Sequence, residues 1–251
     1  MPSKPSFKTA LITGAYSGLG QALAQFLETQ GIECILTGRR DVDLSNRTDR
    51  HRLLDIIDTK TPDLVINNAG FGLYGPTLDL SIQEQLDMIE VNISALVEMT
   101  HRAASALLKA KKRGTILNIS SAGAFIPFPT FNVYCASKAF VNSFSLALDA
   151  ELRSQGVRVL CACPGQIATA FRQKASKGLP QEKDHLTMPV DKAVAHLWKQ
   201  IQKQKGLYVF GWRAKILVWT TKFVPKKLLN PWLIKSLKRR YTQTTKTKRK
   251  S

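Results

Sequence analysis

Five short apolar runs, each ending in a polar or glycine-bearing cluster, constrain this chain more than any other feature. Lys8 to Ile12 ends in Thr13-Gly14, Ile32 to Thr37 in Gly38-Arg39-Arg40, and Asp63 to Asn67 in Asn68-Ala69-Gly70. Thr115 to Ile119 ends in Ser120-Ser121, and Val157 to Cys163 in Pro164-Gly165. Between them lie segments with helical spacing of apolar residues: Gly20 to Thr29 closed by Gly31, Arg50 to Ile57 capped by Ser45, Ser81 to Lys109, and Tyr134 to Arg153. Runs of that length read as buried strands, and the longer periodic segments as helices. Their alternation predicts an α/β protein, a doubly wound parallel sheet with helices on both faces. Val42-Asp43-Leu44 reads as the stub of a further strand. Ligands of such sheets bind beyond the carboxyl ends of the strands, where all five clusters fall.

Composition fits that reading. With 44% hydrophobic and 22% charged residues over 251 positions, the chain can bury a sizeable core. It has no run of 18 apolar residues for a spanning helix, and Met1 to Lys8 lacks an apolar signal core. Cys34, Cys135, Cys161 and Cys163 have no metal-ligand spacing, so no metal is expected and a reduced, cytoplasmic protein is. Charge is less ordinary. Seventeen of the 37 Lys and Arg follow Asp191, and none of the 18 acids does. The body is nearly neutral, and the strong excess of the last quarter favours anionic partners.

Thr13-Gly14-Ala15-Tyr16-Ser17-Gly18-Leu19-Gly20 joins the first strand to the first helix. Gly14 permits a sharp turn, and Gly18 and Gly20 allow close approach of a pyrophosphate. The helix start offers unpaired N–H groups and the positive end of its dipole. A Rossmann-like dinucleotide site follows, with Ser17 and Leu19 in the cradle. NAD sites place an acid at the end of the second strand to hold the ribose 2′-hydroxyl. Here Arg39 and Arg40 stand instead, suited to bidentate pairing with a 2′-phosphate, so NADP(H) is the expected cofactor.

Tyr134 and Lys138 are four apart at the start of a helix, hence on one face. A phenol has a pKa near ~10, and a neighbouring ammonium favours its ionised form, moving it toward the working range. Ser121, at the end of the preceding strand, can hydrogen-bond the same substrate oxygen.

Together, Thr13-Gly14-x-x-x-Gly18-x-Gly20, Asn67-Asn68-Ala69-Gly70, Asn92, Ser121, Tyr134-x-x-x-Lys138 and Pro164-Gly165-x-x-x-Thr169 resemble the short-chain dehydrogenase/reductase family in its compact single-domain branch. The resemblance covers about residues 7 to 200. It implies that Tyr134 is general acid in reduction, Lys138 tunes it and binds the nicotinamide ribose, and Ser121 orients the carbonyl. Asn92 would hold a relay water, the alternative being a plain helix kink. Asn68, Ala69 and Gly70 would line the adenosine side, and Asp43 would meet the adenine amino group. Pro164, Gly165, Ile167 and Thr169 would flank the nicotinamide. One departure stands out: only Arg40, Asp41 and Val42 separate Arg39 from Asp43, where relatives carry a helix.

Phe125, Phe128 and Phe131, with Pro127 and Pro129, lie between Ser121 and Tyr134 and should border an apolar substrate slot, with core packing the alternative. Residues 171–189 match the family's mobile lid. The expected domains are a dinucleotide-binding and catalytic unit over residues 1–205, a basic amphipathic helical C-terminal extension over 206–241, and a disordered basic tail over 242–251. In the extension, Trp212, Ile216, Trp219 and Phe223, then Leu229, Trp232, Leu233 and Leu237, repeat at helical spacing among cations. Packing on the body or a dimer contact is one reading. Attachment to an anionic membrane surface is a second. Docking of nucleic acid or an acyl carrier protein is a third. The expected function is NADPH-dependent transfer of hydride to a ketone, or from a secondary alcohol, with an apolar or ketoacyl-type carbonyl as small-molecule substrate and a homo-oligomer as the working form. The alternative is an NADP(H)-binding sensor or membrane-associated scaffold with little turnover.

Overall fold

The computed structural model describes residues 5–177 and 187–223. Six strands form one parallel sheet: β1 (Thr9–Thr13), β2 (Glu33–Thr37), β3 (Leu64–Asn67), β4 (Gly114–Ile119), β5 (Val157–Pro164) and β6 (Leu207–Phe210). Their order is β2-β1-β3-β4-β5-β6. The helices α1 (Gly18–Thr29), α2 (Arg47–Lys60), α3 (Ile82–Ile89), α4 (Leu96–Lys109), α5 (Asn132–Leu152), α6 (Phe171–Ala175), α7 (Val190–Gln202) and α8 (Trp212–Phe223) complete the described elements, with short 3-10 turns between some of them.

Side-chain alternation divides the core in two. Ala10, Ile12, Leu64, Ile66, Leu117, Leu160 and Ala162 face one side, with Leu23 and Leu27 of α1 and Leu197 and Ile201 of α7. Leu11, Val65, Ile116, Val157 and Val159 face the other, with Leu53 and Ile57 of α2 and Met99, Ala103 and Leu107 of α4. The four inner strands, β1, β3, β4 and β5, are almost wholly buried, so they read as continuous apolar runs rather than as alternating ones. Each fully buried Leu or Ile contributes about 1.5–3 kcal/mol of transfer free energy.

Element ends follow local chemistry. Gly31, at φ +74°, ends α1 as the sequence suggested: its N–H donates to Glu28 O, and that of Ile32 donates to Leu27 O. The cap of α2 is Asn46, not Ser45. The Asn46 side chain accepts from Thr48 N and Asp49 N, while the Ser45 hydroxyl donates to Asp43 Oδ1 at 2.7 Å. The helical run expected over Ser81 to Lys109 is three pieces, because a π-helical turn, Glu90–Ala95, separates α3 from α4.

Two expectations are corrected. Val42-Asp43-Leu44 is not a strand. Val42 and Leu44 are buried in the α2–α4 layer, but as a connecting loop, since three residues cannot leave a tight turn and reach a ladder. The sheet also crosses the boundary drawn at residue 205. β6 pairs with β5 from Cys161↔Leu207 to Pro164↔Phe210, and Phe210 is wholly buried. Beyond β6, the described part of the expected C-terminal extension is α8. It packs Ala214 and Val218 inward and exposes Trp212, Ile216 and Trp219. The second half of that extension, the 242–251 tail and residues 178–186 of the expected lid lie outside the described residues. No helix among the described residues is long and apolar enough to cross a membrane.

Candidate active site

All five polar clusters meet at the carboxyl ends of the strands, as parallel pairing requires. The glycine loop spans β1 to α1. Gly14 and Gly18 have φ of +64° and +53°, where a side chain would be strained. Gly20 is required for another reason: a Cβ there would stand 2.2 Å from Gly14 O. Ser17 caps α1 in extended geometry with no side-chain capping bond, and the first turn of α1 holds no acid. Its hydroxyl and the leading N–H groups, Leu19 among them, therefore remain for an anion. This cradle fits a pyrophosphate.

The Asn68-Ala69-Gly70 turn is tied to that loop. Asn68 Nδ2 donates to Thr13 O at 2.9 Å and Gly14 O at 3.2 Å, while Thr13 Oγ1 accepts from the N–H groups of Asn68 and Ala69. The Asn68 side chain thus braces the loop rather than standing free to line a ribose. Gly70 lies against Asn92 and Lys138: a Cβ there would be 3.0 Å from Asn92 Oδ1 and 3.3 Å from Lys138 Nζ. From the far side, Thr169 closes on the loop, with its side chain 3.3 Å from where a Gly18 Cβ would stand. Ile167 bridges Met188, and Gly165 N donates to Phe210 O, which anchors the segment after Pro164 to β6 and its successor.

Arg39 and Arg40 sit on an exposed turn after β2. Arg39 Nε lies 3.5 Å from Asp43 Oδ2. Asp43 accepts from both Ser45 groups, and these bonds, with the Arg39 charge, hold its carboxyl below the usual range. It is an ionised acceptor at the expected adenine end.

Tyr134 and Lys138 occupy successive turns of α5 and are buried. Ser121, just past β4, accepts from Gly123 N at 3.1 Å, and its hydroxyl is near enough to Tyr134 to pull the phenol pKa downward. Lys138 Nζ donates to Ile119 O at 2.9 Å and lies 5.8 Å from the Tyr134 ring centroid. The expected shift of Tyr134 is reversed. Burial pushes its hydroxyl well above the ordinary phenol range, against the smaller downward pull of Ser121. Burial also lowers the Lys138 ammonium, to about 8. For both groups the loss of solvent is the largest influence.

Asn92 is wholly buried in the π-helical turn. Its Nδ2 donates to Phe71 O and Ser137 Oγ, and its Oδ1 accepts from Phe71 N. The side chain is committed to pinning the strand-end loop to α5.

Aromatic rings cover Tyr134. Phe131 stacks on it at 4.3 Å between centroids, Phe171 lies at 5.6 Å, and Tyr74 approaches Phe131 at 4.7 Å and Phe128 at 6.1 Å. Phe128 and Phe131 thus border the site as expected. Phe125 does not; it packs with Val141, Leu207 and Val209 on the β5–β6 side. Tyr74 was missed by the sequence reading. Its loop is held by Tyr74 N to Ala175 O and Gly75 N to Thr130 O, contacts between segments far apart in the chain. An open apolar groove of about 550 Å³ runs between residues 124–129 and Cys135, Ala136 and Ala139, but none of Ser121, Tyr134 and Lys138 lines it.

Comparison with known proteins agrees. The short chain dehydrogenase family model matches residues 40–180. Serine 3-dehydrogenase of Agrobacterium fabrum is 32% identical over 208 residues, covering 74% of this chain and 83% of its own. Sulfoacetaldehyde reductase 2 of Chromohalobacter salexigens is 36% identical over 184 residues, covering 64% and 73%. Among solved structures, a short-chain dehydrogenase from Sphingobium yanoikuyae in complex with NADPH superposes with a TM-score of 0.76 at 24% identity, over 80% of this chain and 87% of that one. At that identity the likeness speaks for the fold. A family match over more than half of the sequence, on a sheet of this strand order, carries the conclusion: the chain belongs to the short-chain dehydrogenase/reductase family of oxidoreductases.

Proposed function

We propose that the protein is an NADPH-dependent carbonyl reductase for an apolar ketone, a ketoacyl-type carbonyl being the leading candidate. The observation that carries this reading is a buried Tyr134, kept a phenol by its burial, one turn from Lys138 and next to a glycine cradle, with Ser121 at the end of the neighbouring strand. A nicotinamide cofactor held by Gly14, Ser17, Gly18, Leu19 and Gly20, and flanked by Pro164, Gly165, Ile167 and Thr169, supplies the hydride when bound. The chain's own residues do the rest. Ser121 orients the carbonyl oxygen. Tyr134, kept as a phenol by burial, has a proton to donate as that oxygen gains charge. Lys138 remains mostly cationic at neutral pH and stabilises the phenolate left behind. Asn92 holds the Phe71 loop and α5 in register, and the π-helical turn around it is the candidate place for a relay water. Phe131, Phe128, Tyr74 and Phe171 present an apolar, water-excluding wall. A substrate has to displace part of that cover to reach Tyr134, so opening of the Phe171 segment belongs to the cycle.

Arg39 and Arg40 support NADPH over NADH, and Asp43 is the acceptor for adenine. The direct test is a panel of ketones followed by loss of NADPH absorbance. NADPH should bind at least about tenfold more tightly than NADH, or 1.4 kcal/mol. Changing both arginines to alanine should shrink that gap; an unchanged gap removes their assignment. A catalytically silent scaffold would show no turnover on any ketone.

One segment supports a second role. Trp212, Ile216 and Trp219 share an exposed face of α8, with Arg213 and Lys215 beside them and Arg213 over the Trp212 ring. We read this face as attaching to an anionic membrane surface. Full-length protein should co-sediment with phosphatidylserine vesicles and lose binding in the Trp212→Ser, Trp219→Ser double variant. No sedimentation of the wild type overturns this reading.

A further inference from the structure

Phe131 is held more firmly than the rest of the aromatic cover. Its ring stacks on Tyr134 with 4.3 Å between centroids and 22° between planes, and Tyr74 stands behind it at 4.7 Å. Its third contact is bare backbone. A Cβ on Gly72 would stand 2.7 Å from Phe131 Cε2, 2.8 Å from Cζ and 3.2 Å from Tyr134 Cδ2, so the ring keeps this place only against a glycine. The chain on either side is fixed as well: Phe131 N donates to Phe128 O, Phe131 O accepts from Cys135 N, and Thr130 O accepts from Gly75 N. Thr130 is strained. Its φ is +66°, in the left-handed region that a β-branched residue avoids, and its hydroxyl oxygen is buried with no partner among the described residues. Strain of that kind persists where the surroundings over-determine it, and it gathers at ligand sites. Phe171 is placed differently. It lies 5.6 Å from Tyr134 at 52°, sits on the five-residue α6 and is 36% exposed.

Resting on the carbonyl reductase reading above, we propose that Phe131 is a fixed wall that sets substrate specificity: the ketone carries one small, methyl-sized arm toward Phe131 and its bulk toward Phe171. A substrate reaching Tyr134 meets two aromatic surfaces of unequal firmness. Moving Phe131 breaks its stack on the catalytic phenol and disturbs the strained turn that carries it. Moving Phe171 disturbs one short helix. The large arm therefore goes where the cover yields, and the small arm faces the wall. Among ketoacyl-type carbonyls this selects the acetoacetyl kind, whose ketone bears a methyl group.

The test is kcat/KM of the full chain on two phenyl ketones, one with a methyl and one with a propyl second arm, followed by loss of NADPH absorbance. The wild type should prefer the methyl ketone at least about tenfold, as extra methylenes in a closed apolar pocket are discriminated. Phe131→Ala should shrink that preference at least about tenfold, and Phe131→Leu, which keeps the site filled with apolar bulk and guards against a misfolded alanine variant, should move it in the same direction. Phe171→Ala should leave the preference in place. If Phe131→Ala merely disturbs Tyr134, both ketones slow alike and their ratio stays, which overturns the wall. So does a preference erased by Phe171→Ala instead. A wild type that reduces both ketones equally well removes the wall and leaves the reductase reading standing; turnover of neither ketone nor any other removes both.

Discussion

Gly20→Ala tests the glycine loop at the point where the structure gives it least room. The added Cβ would stand 2.2 Å from Gly14 O and 2.5 Å from Asn68 Nδ2. Non-bonded heavy atoms rest about 3.5 Å apart, so relief needs a movement of roughly 1 Å. One obstacle is a backbone carbonyl, which cannot swing aside as a side chain can. The other is the amide that ties β3 to the loop through Thr13 O and Gly14 O. Overpacking of this kind costs about 1–3 kcal/mol. For a chain of this size, about 2 kcal/mol lowers Tm by roughly 4–8 °C. Any displacement of the loop also moves the N–H groups that hold the pyrophosphate, and NADPH affinity should fall at least about tenfold. Gly31→Ala is the control. It has no atom within 4 Å of the added Cβ but sits at φ +74°, so it should cost about 1–2 kcal/mol of stability through backbone strain and leave cofactor affinity alone. Thermal melting and cofactor titration on both variants decide the matter. A Gly20→Ala protein with wild-type Tm and NADPH affinity would refute the steric argument.

Three further outcomes are expected. Tyr134→Phe should lower ketone turnover about 10²–10⁴-fold while keeping NADPH affinity, checked by steady-state rates and cofactor titration. The Lys138 ammonium titrates near 8 in the folded chain, below its ordinary 10.5, so the unfolded state binds more protons between those values and its burial penalty fades as pH rises through that window. The Tm of Lys138→Met, measured relative to wild type, should therefore be more favourable at pH 7 than at pH 10; a difference that grows with pH contradicts the assignment. Arg50 is buried and ion-pairs with Glu90 at 2.8 Å and Glu98 at 3.1 Å, joining α2 to the π-helical turn and α4. Arg50→Ala leaves those acids unpaired and should cost about 2–4 kcal/mol by denaturant unfolding, toward the lower side of buried pairs because both acids are partly exposed.

What the sequence revealed tracks how local each determinant is. The glycine loop was legible because strand period, tight turn and helix start are all set within a dozen residues. Gly31 was legible for the same reason. The cap of α2 was misplaced by one residue because Ser45 and Asn46 are both capping types, and only the Asp43 contact shows which is already engaged. β6 was missed because four residues are too few to display a period of two, and the tryptophans after it set a helical pattern. At the active site, the spacing of Tyr134 and Lys138 put them on one face. Their depth depends on Phe131, Phe171 and Ile119, which arrive from other elements, so the direction of the phenol shift could not be read from spacing. Tyr74 joins the site through loop-to-loop backbone bonds that no local pattern announces.

The short connection after β2 has a consequence for self-association. With no further strand beyond it among the described residues, β2 is the rim of the sheet, and rims invite a second copy to add a strand. Glu33 N donates to Lys8 O and Thr37 O accepts from Ala15 N, so those residues face inward, and Cys34 and Leu36 turn their backbone groups to the outside. The Leu36 carbonyl is already occupied by the Tyr16 hydroxyl. A neighbouring chain would find a template only two residues long, with one of its four groups already taken and Glu33 and Arg39 flanking it, which offers fibre growth very little to hold.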